Sequence, residues 1–125
     1  MSDKFLGHKG EKLAARYLRR EGLKILARNY RCPPGEIDII ALDRSTRRSS
    51  GAETIVFVEV KTRSSDRYVE PESAVNARKR QQLTRPANYY LAHHKADNYA
   101  ARFDIVSIVI HEGEKPQIKH IPDAF

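Results

Sequence analysis

Two acids and a lysine stand in strongly apolar surroundings in this sequence. Glu59 and Lys61 follow the apolar run 55–58, and Asp38 interrupts a second apolar run, 37–42. Charged groups among apolar neighbours are costly unless they are paired or bind a metal. Two carboxylates that face one space repel each other unless a cation lies between them. The pattern therefore predicts a metal-dependent site that cleaves phosphodiester bonds.

The kind of metal follows from the available ligands. The chain has one cysteine, Cys32, and oxygen ligands favour Mg²⁺ or Mn²⁺ over zinc. Such a cation would polarise a phosphate and acidify a bound water. Lys61 would orient that water or stabilise the charge that develops on the phosphate. The ordinary alternatives are a solvated edge position for Asp38 and a solvated cross-strand pair for Glu59 and Lys61.

Length and composition predict a single soluble domain over residues 1–125. No apolar stretch reaches the ~18 residues that span a bilayer, and the N-terminal residues lack a signal-peptide pattern. We therefore expect a cytoplasmic protein without a membrane partner. The chain has 23 Lys and Arg against 16 Asp and Glu, a net charge of +7. This excess favours a polyanionic partner, nucleic acid first, and an ordinary basic surface is the open alternative.

Apolar periodicity predicts a mixed sheet flanked by helices, in the order α-β-β-β-α-β-β. The first three strands are short and successive, which indicates an antiparallel meander. A break or kink is expected near Arg85, because Pro86 lies inside the second helical pattern. The polar segment 43–53 is predicted as a loop, and Asn76 as the cap of the second helix. The predicted helices cover 4–21 and 76–91, and the predicted strands cover 23–30, 36–42, 54–62, 102–110 and 117–121.

Side-chain alternation positions the charged residues on these elements. On the third strand, Glu59 and Lys61 share a face with Phe57, and the valines of the run point to the other face. Both faces begin apolar, so burial on both sides is expected. If the second and third strands pair as a hairpin, Asp38 and Glu59 approach each other at the strand ends.

A further acid, Glu11, lies on the first predicted helix. Its helical neighbours Gly7, Ala14 and Ala15 form a small-residue face that allows close packing. Glu11 would serve as an additional ligand, for instance for a second metal. A pair with Arg16, or a solvated side chain, is the ordinary alternative.

Basic residues surround these acids in the sequence. Arg63 follows the third strand and Lys79 lies on the second helix, and both are expected to contact phosphates. Such contacts give affinity without sequence specificity. Solubility is the alternative role of these side chains. Three further arginines in the connection between the second and third strands are also predicted to bind nucleic acid: Arg44, Arg47 and Arg48.

Two blocks, 35–41 (GEIDIIA) and 57–63 (FVEVKTR), resemble the signature blocks of the YraN-like family of small bacterial proteins. Shorter matches at 10–11, 74–75 and 102–104 extend the resemblance over nearly the whole chain. That family is similar to the PD-(D/E)xK nuclease superfamily, which includes archaeal Holliday-junction resolvases and restriction endonucleases. The resemblance implies a restriction-endonuclease-like core. It also implies that Asp38 and Glu59 are metal ligands, Lys61 the catalytic lysine and Glu11 the helix acid.

The leading hypothesis is a Mg²⁺-dependent endonuclease that acts on DNA, with a preference for branched or structured DNA that rests on superfamily analogy. A nucleic-acid-binding module that keeps the fold but hydrolyses little is the alternative. Symmetric cutting of a junction would suit a two-fold homodimer. The sequence departs from the family pattern in a longer 43–53 connection and in the segment 67–70 (RYVE), which replaces an expected aromatic-glycine pair.

Overall fold

The structure is a computed structural model, which describes residues 3–64, 77–96 and 98–124. These residues form the predicted order of elements with one addition, a single helical turn inside the polar segment 43–53, which is predicted as a loop. None of the described helices is long and apolar enough to cross a bilayer. The helices are α1 (Asp3–Arg20), α2 (Arg47–Ser50) and α3 (Ala77–His93), and the strands are β1 (Lys24–Cys32), β2 (Gly35–Asp43), β3 (Thr54–Ser64), β4 (Ala100–Ile110) and β5 (Gln117–Ile121).

The strands form one open mixed sheet in the order β1-β2-β3-β4-β5. The first three strands make the predicted antiparallel meander. β4 pairs parallel to β3, and β5 pairs antiparallel to β4 at the edge. A parallel pair needs a long crossover connection, and α3 lies in that connection. The mixed α/β class predicted from the sequence is therefore confirmed.

The core has two parts, one on each face of the sheet. On one face Leu18 of α1 packs against Val56 and Val58, and on the other Leu83 of α3 packs against Phe57. The predicted alternation along β3 is thus confirmed, with both faces buried. Because helices cover both faces, β3 is apolar in successive positions rather than in every second one.

The break predicted near Arg85 is wrong, because α3 continues through Pro86 to His93. Proline lacks an N–H, so the Gln82 carbonyl four residues earlier loses its helical donor. The Pro86 ring is buried beside Gly35, where an added Cβ would lie 3.4 Å from Pro86 Cγ. Burial of the ring against the start of β2 offsets the missing hydrogen bond. The predicted cap Asn76 lies outside the described residues.

Candidate metal and phosphate site

Asp38 lies where β2 departs from regular strand geometry. The β1–β2 pairing omits Asp38 and the opposite residue, Asn29, which has a positive φ of 51°. Ile37 and Ile40 consequently pack in the same core cluster on the α3 side, although strict alternation would separate them. Asparagine tolerates this backbone conformation better than most residues. An Asn inside a strand pattern was the one sequence signal for this distortion.

The Asp38 carboxylate also lies at the point where β2 and β3 separate. Their backbone pairing ends at Ile39 and Val58. Beyond it, Asp38 Oδ2 accepts a hydrogen bond from the Val60 N–H at 2.8 Å. A side-chain oxygen therefore satisfies a backbone donor that the ladder no longer reaches, and this bond fixes the carboxylate between the two strands.

Glu59 lies one residue before that N–H and is held by two lysines. Its Oε1 is 2.9 Å from Lys79 Nζ on α3 and 3.3 Å from Lys61 Nζ. The Glu59 side chain is 12% exposed and the two lysine side chains are 27% and 20% exposed. Glu59 and Lys61 thus form an ion pair that is mostly buried rather than solvated, and α3 adds a second ammonium group that sequence spacing did not assign to Glu59.

Glu11 approaches the site from α1. A cavity of about 460 Å³ on this side is lined by Glu11, Asp38, Lys61 and Arg63, among others. Close packing of α1 depends on its neighbour Gly10, since a Cβ there would collide with the Thr62 hydroxyl. Of the predicted small-residue face, Ala14 and Ala15 are buried in the core, whereas no atom of another described element lies within 4 Å of a Cβ built at Gly7.

A second cavity, of about 480 Å³, is lined by residues of β2, β3 and α3. Glu59, Lys79 and Arg85 line it together with Asp38. Asp38 is the residue common to both cavities. A ligand can therefore reach Asp38 from two sides. One cavity leads past Glu11 and Lys61, and the other leads past Glu59 and Lys79.

The electrostatics of the site concentrate on Asp38. Burial is the main cause that raises the pKa of its carboxyl from 3.8 to about 7. The negative charges of Glu59 and, more weakly, Glu11 raise the pKa further. The Val60 N–H and the Lys79 ammonium group oppose this effect but do not cancel it. Asp38 is therefore a half-buried acid whose ionised form has too little positive compensation nearby.

This deficit fits a hard divalent cation. Within the described ranges, no three His, Cys, Asp or Glu side chains are gathered closely enough to form a complete metal site. Mg²⁺ does not require such a set, because it keeps several waters and is commonly bound through one or two carboxylates. Asp38 and Glu11 line one cavity and would supply those carboxylates, whereas Glu59 is drawn toward its two lysines.

The structure does not bring every predicted residue to this place. Asp38, Glu59, Lys61, Glu11, Arg63 and Lys79 all lie around the two cavities. The connection between β2 and β3 lies at the opposite end of the hairpin, because β2 runs from the site toward Asp43. That connection carries three arginines that line neither cavity: Arg44, Arg47 and Arg48.

Fold and site together define a small mixed α/β protein with a cluster of acids and lysines where β2 and β3 separate. The model of the uncharacterised protein family UPF0102 matches residues 10–108. The chain is 48% identical over 125 residues to a UPF0102 protein of Geobacter metallireducens, covering all of this chain and 95% of that protein. It is 42% identical over 124 residues to one of Clostridium acetobutylicum, covering 98% and 95%, and 43% identical over 120 residues to one of Nocardia farcinica, covering 96% and 88%.

The protein therefore belongs to the UPF0102 family. This confirms the YraN-like resemblance that the strand blocks carry. The matched span contains the three acids and the lysine predicted for the site, from Glu11 to Lys61.

Proposed function

We propose that this protein is a metal-dependent endonuclease that hydrolyses phosphodiester bonds in DNA, with a restriction-endonuclease-like core of the PD-(D/E)xK superfamily. One observation carries the proposal. Asp38 is a half-buried carboxyl, with a pKa raised to about 7, fixed where two strands part and beside Glu59 and Lys61. A partly buried acid with a strongly shifted pKa beside a second acid and a lysine in an open cavity is typical of catalytic sites.

Each residue would have a distinct role. Asp38 and Glu11 would hold Mg²⁺ or Mn²⁺, with Glu59 as a further carboxylate. When bound, the cation would polarise the phosphate and acidify a water. The Val60 N–H holds the Asp38 carboxylate in position for this. Lys61 would leave its ion pair with Glu59 to donate to a phosphate oxygen as negative charge develops there.

The substrate class follows from the positive charge around the site. Lys79 and Arg63 line the cavities next to Asp38, where they would contact phosphates on either side of the cleaved bond. The net charge of +7 favours nucleic acid in general. Branched or structured DNA, and a two-fold dimer to cut it symmetrically, are expectations from the superfamily analogy.

A nucleic-acid-binding module with little hydrolytic activity is the second candidate. It is favoured by the two ammonium groups that already neutralise Glu59. In this reading, the acids and lysines are a structural ion-pair network, and the basic side chains around the cavities bind the phosphate backbone.

The test is a panel of labelled linear, branched and single-stranded DNA and RNA, incubated with Mg²⁺, Mn²⁺ or a chelator. We expect cleavage only with the divalent cation. Asp38→Ala and Lys61→Ala should each reduce the rate by about 10³-fold or more, the scale of losing a charge-stabilising group in an enzyme. Glu114→Ala and Lys115→Ala, in an exposed turn, are the matched controls, and circular dichroism verifies folding.

Other results separate the two candidates. Salt-sensitive binding without cleavage under every condition would favour the binding module. Absence of salt-sensitive binding to any of these nucleic acids would reject both.

A further inference from the structure

A third concave surface lies at the end of the sheet away from Asp38. It has a volume of about 420 Å³, and we call it the aromatic groove. Its floor consists of buried apolar side chains, including Leu42 and Ile55, which are paired across β2 and β3. Leu26 and Tyr99 line the groove with 38% and 43% of their surface exposed. They are the large hydrophobic side chains that stay exposed in the described part of the chain.

Leu26 and Tyr99 are exposed around the same concave surface. Single exposed hydrophobic side chains are ordinary on a protein surface, whereas a cluster of them around one concave surface indicates a binding site.

Flat rings form part of that lining. The His94 ring stacks on the Tyr90 ring, with centroids 4.0 Å apart and planes 22° apart. His94 Nδ1 lies 3.0 Å from the Tyr90 carbonyl oxygen, so the His94 ring is fixed at the end of α3. Tyr99 adds an exposed ring to the same groove. Ring faces held in place before binding suit a flat ligand.

Positive charge completes the lining. Lys24 and Arg44 both border the groove and are exposed, and Glu53 is the acid among its lining residues. The groove thus combines ring faces with two cations at its edge. An aliphatic peptide would use the apolar floor but neither of these features, and an anionic aromatic ligand would use all three.

We propose that the aromatic groove binds an unpaired nucleotide of a nucleic-acid strand. The base stacks on Tyr99 and His94, and the adjoining phosphates contact Arg44 and Lys24. Stacking of this kind tolerates any base, because every base has a π-face. The choice of a nucleic acid as the ligand rests on the proposed function. The rings and cations that line the groove are observed independently of that function.

The groove and the acid–lysine site can be reached by one strand. Ile55 lines the groove and Glu59 lies four residues further along β3, which corresponds to a direct separation of roughly 13 Å at ~3.3 Å per residue. Phe57, between them, is buried under α3, so a bound strand would pass around α3 by a longer path. Because stacked nucleotides advance about 3.4 Å each along one strand, the unpaired segment would extend more than about four nucleotides from the bond at Asp38.

The experiment measures fluorescence anisotropy of a labelled single-stranded oligonucleotide in a chelator, where cleavage cannot contribute. An abasic oligonucleotide of equal length carries the same phosphates without bases. We expect Tyr99→Leu to weaken binding of the normal oligonucleotide about 5- to 20-fold, as for loss of one base stack, and to leave abasic binding nearly unchanged. Tyr99→Phe should retain wild-type affinity, and Arg44→Ala should weaken both ligands. Tyr89→Leu is the matched control, since Tyr89 stacks on His93 and does not line the groove.

Several results would overturn the inference. One is wild-type affinity in Tyr99→Leu, and another is an equal loss for both oligonucleotides. A third is a concentration-dependent dimer, seen by light scattering, that Tyr99→Leu dissociates, because a second copy would then occupy the groove. Base-dependent binding without any cleavage would support this inference and reject the proposed hydrolase activity. Cleavage by the wild type, together with unchanged binding by Tyr99→Leu, would support the hydrolase activity and reject this inference.

Discussion

Two aspartates on either side of β3, the half-buried Asp38 on β2 and the buried Asp104 on β4, have opposite electrostatic environments. Asp104 on β4 is fully buried and is surrounded by partners. Arg102 Nε and Nη2 donate to it at 3.0 and 3.3 Å, the Asp123 N–H donates at 3.0 Å, and His120 Nε2 lies 2.7 Å away. Among the described residues, Asp38 receives one such bond, from the Val60 N–H, and has two acids nearby.

Burial acts on both carboxyls in the same direction, so the partners decide the outcome. Burial raises the pKa of Asp104, but the bonds from His120, Arg102 and the Asp123 N–H outweigh it, and the pKa falls below its ordinary value. At Asp38 burial and the charge of Glu59 act together, and the pKa rises to about 7. A compensated acid stabilises the fold, whereas an under-compensated acid in a cavity is a place for a ligand cation.

The Asp104 cluster also joins distant parts of the chain. Arg102 Nη1 donates to Asp43 Oδ2 at 2.8 Å, which links β4 to β2 across β3. The Asp123 N–H bond and the Ala124 N–H bond to the Phe103 carbonyl at 2.7 Å attach the segment after β5. Asp104 therefore has a structural role that nothing at Asp38 duplicates.

The largest expected effect follows from this contrast. Asp104→Ala should lower the free energy of unfolding by about 3–5 kcal/mol, because it removes the buried member of an ion pair and leaves the partly buried Arg102 with one partner fewer. Asp38→Asn should not cause a loss of that size, because it removes a repulsive charge rather than an attractive one. Urea denaturation at pH 7 measures both, with Glu114→Ala as an exposed control. Equal losses for the two aspartates would contradict the expected difference in their contributions to stability.

The sequence predicted the strands well because their signal is local. Both faces of β3 are covered, so its apolar run was visible, and turn residues marked the ends of β2. The continuous α3 was not predictable, because tertiary packing of Pro86 against Gly35 overrides the local preference of proline.

The site was predictable in part for a similar reason. Asp38, Glu59 and Lys61 interrupt apolar runs, and such interruptions are visible in a sequence. The same signal exists at Asp104, inside the run 103–110, but its partner His120 comes from a strand whose pairing no local pattern specifies. The Lys79–Glu59 ion pair depends likewise on how α3 lies on the sheet.

The second prediction uses pH to separate the two aspartates. The pKa of Asp38 is raised on folding from 3.8 to about 7, so its protonated form stabilises the fold. This contribution is fully present below about pH 4 and is lost as the pH rises through 7. Asp104 has the opposite sign, since a lowered pKa gives stability above its ordinary value that is lost in acid.

Asp38→Asn should therefore become more stable relative to the wild type between pH 5 and pH 8, by a few kcal/mol at most, because the carboxyl is partly exposed. The charged groups that act on Asp38 are Glu59, Glu11 and Lys79, and none of them is changed in this variant. Urea midpoints at pH 5, 6.5 and 8 give the difference. Parallel stability profiles for variant and wild type would show that Asp38 does not titrate in this range.

The smallest expected effect concerns the cation itself. Binding of Mg²⁺ requires ionised Asp38, so it should release close to one proton at pH 6 and few at pH 8, and the apparent affinity should fall about tenfold per pH unit below 7. Calorimetry in two buffers of different ionisation enthalpy counts these protons. Glu11→Gln should weaken binding more than Glu59→Gln, because Glu59 is already held by Lys61 and Lys79.

Two further variants sharpen the result. Glu36→Gln, an exposed acid paired with Arg31, should bind as the wild type does, and Asp38→Asn should lose both affinity and proton release. Binding of Mg²⁺ without proton release would place the cation away from Asp38. Since proton release depends on a raised pKa and Asp104 has a lowered one, the proton count assigns the cation to Asp38 rather than to Asp104 without any measurement of cleavage.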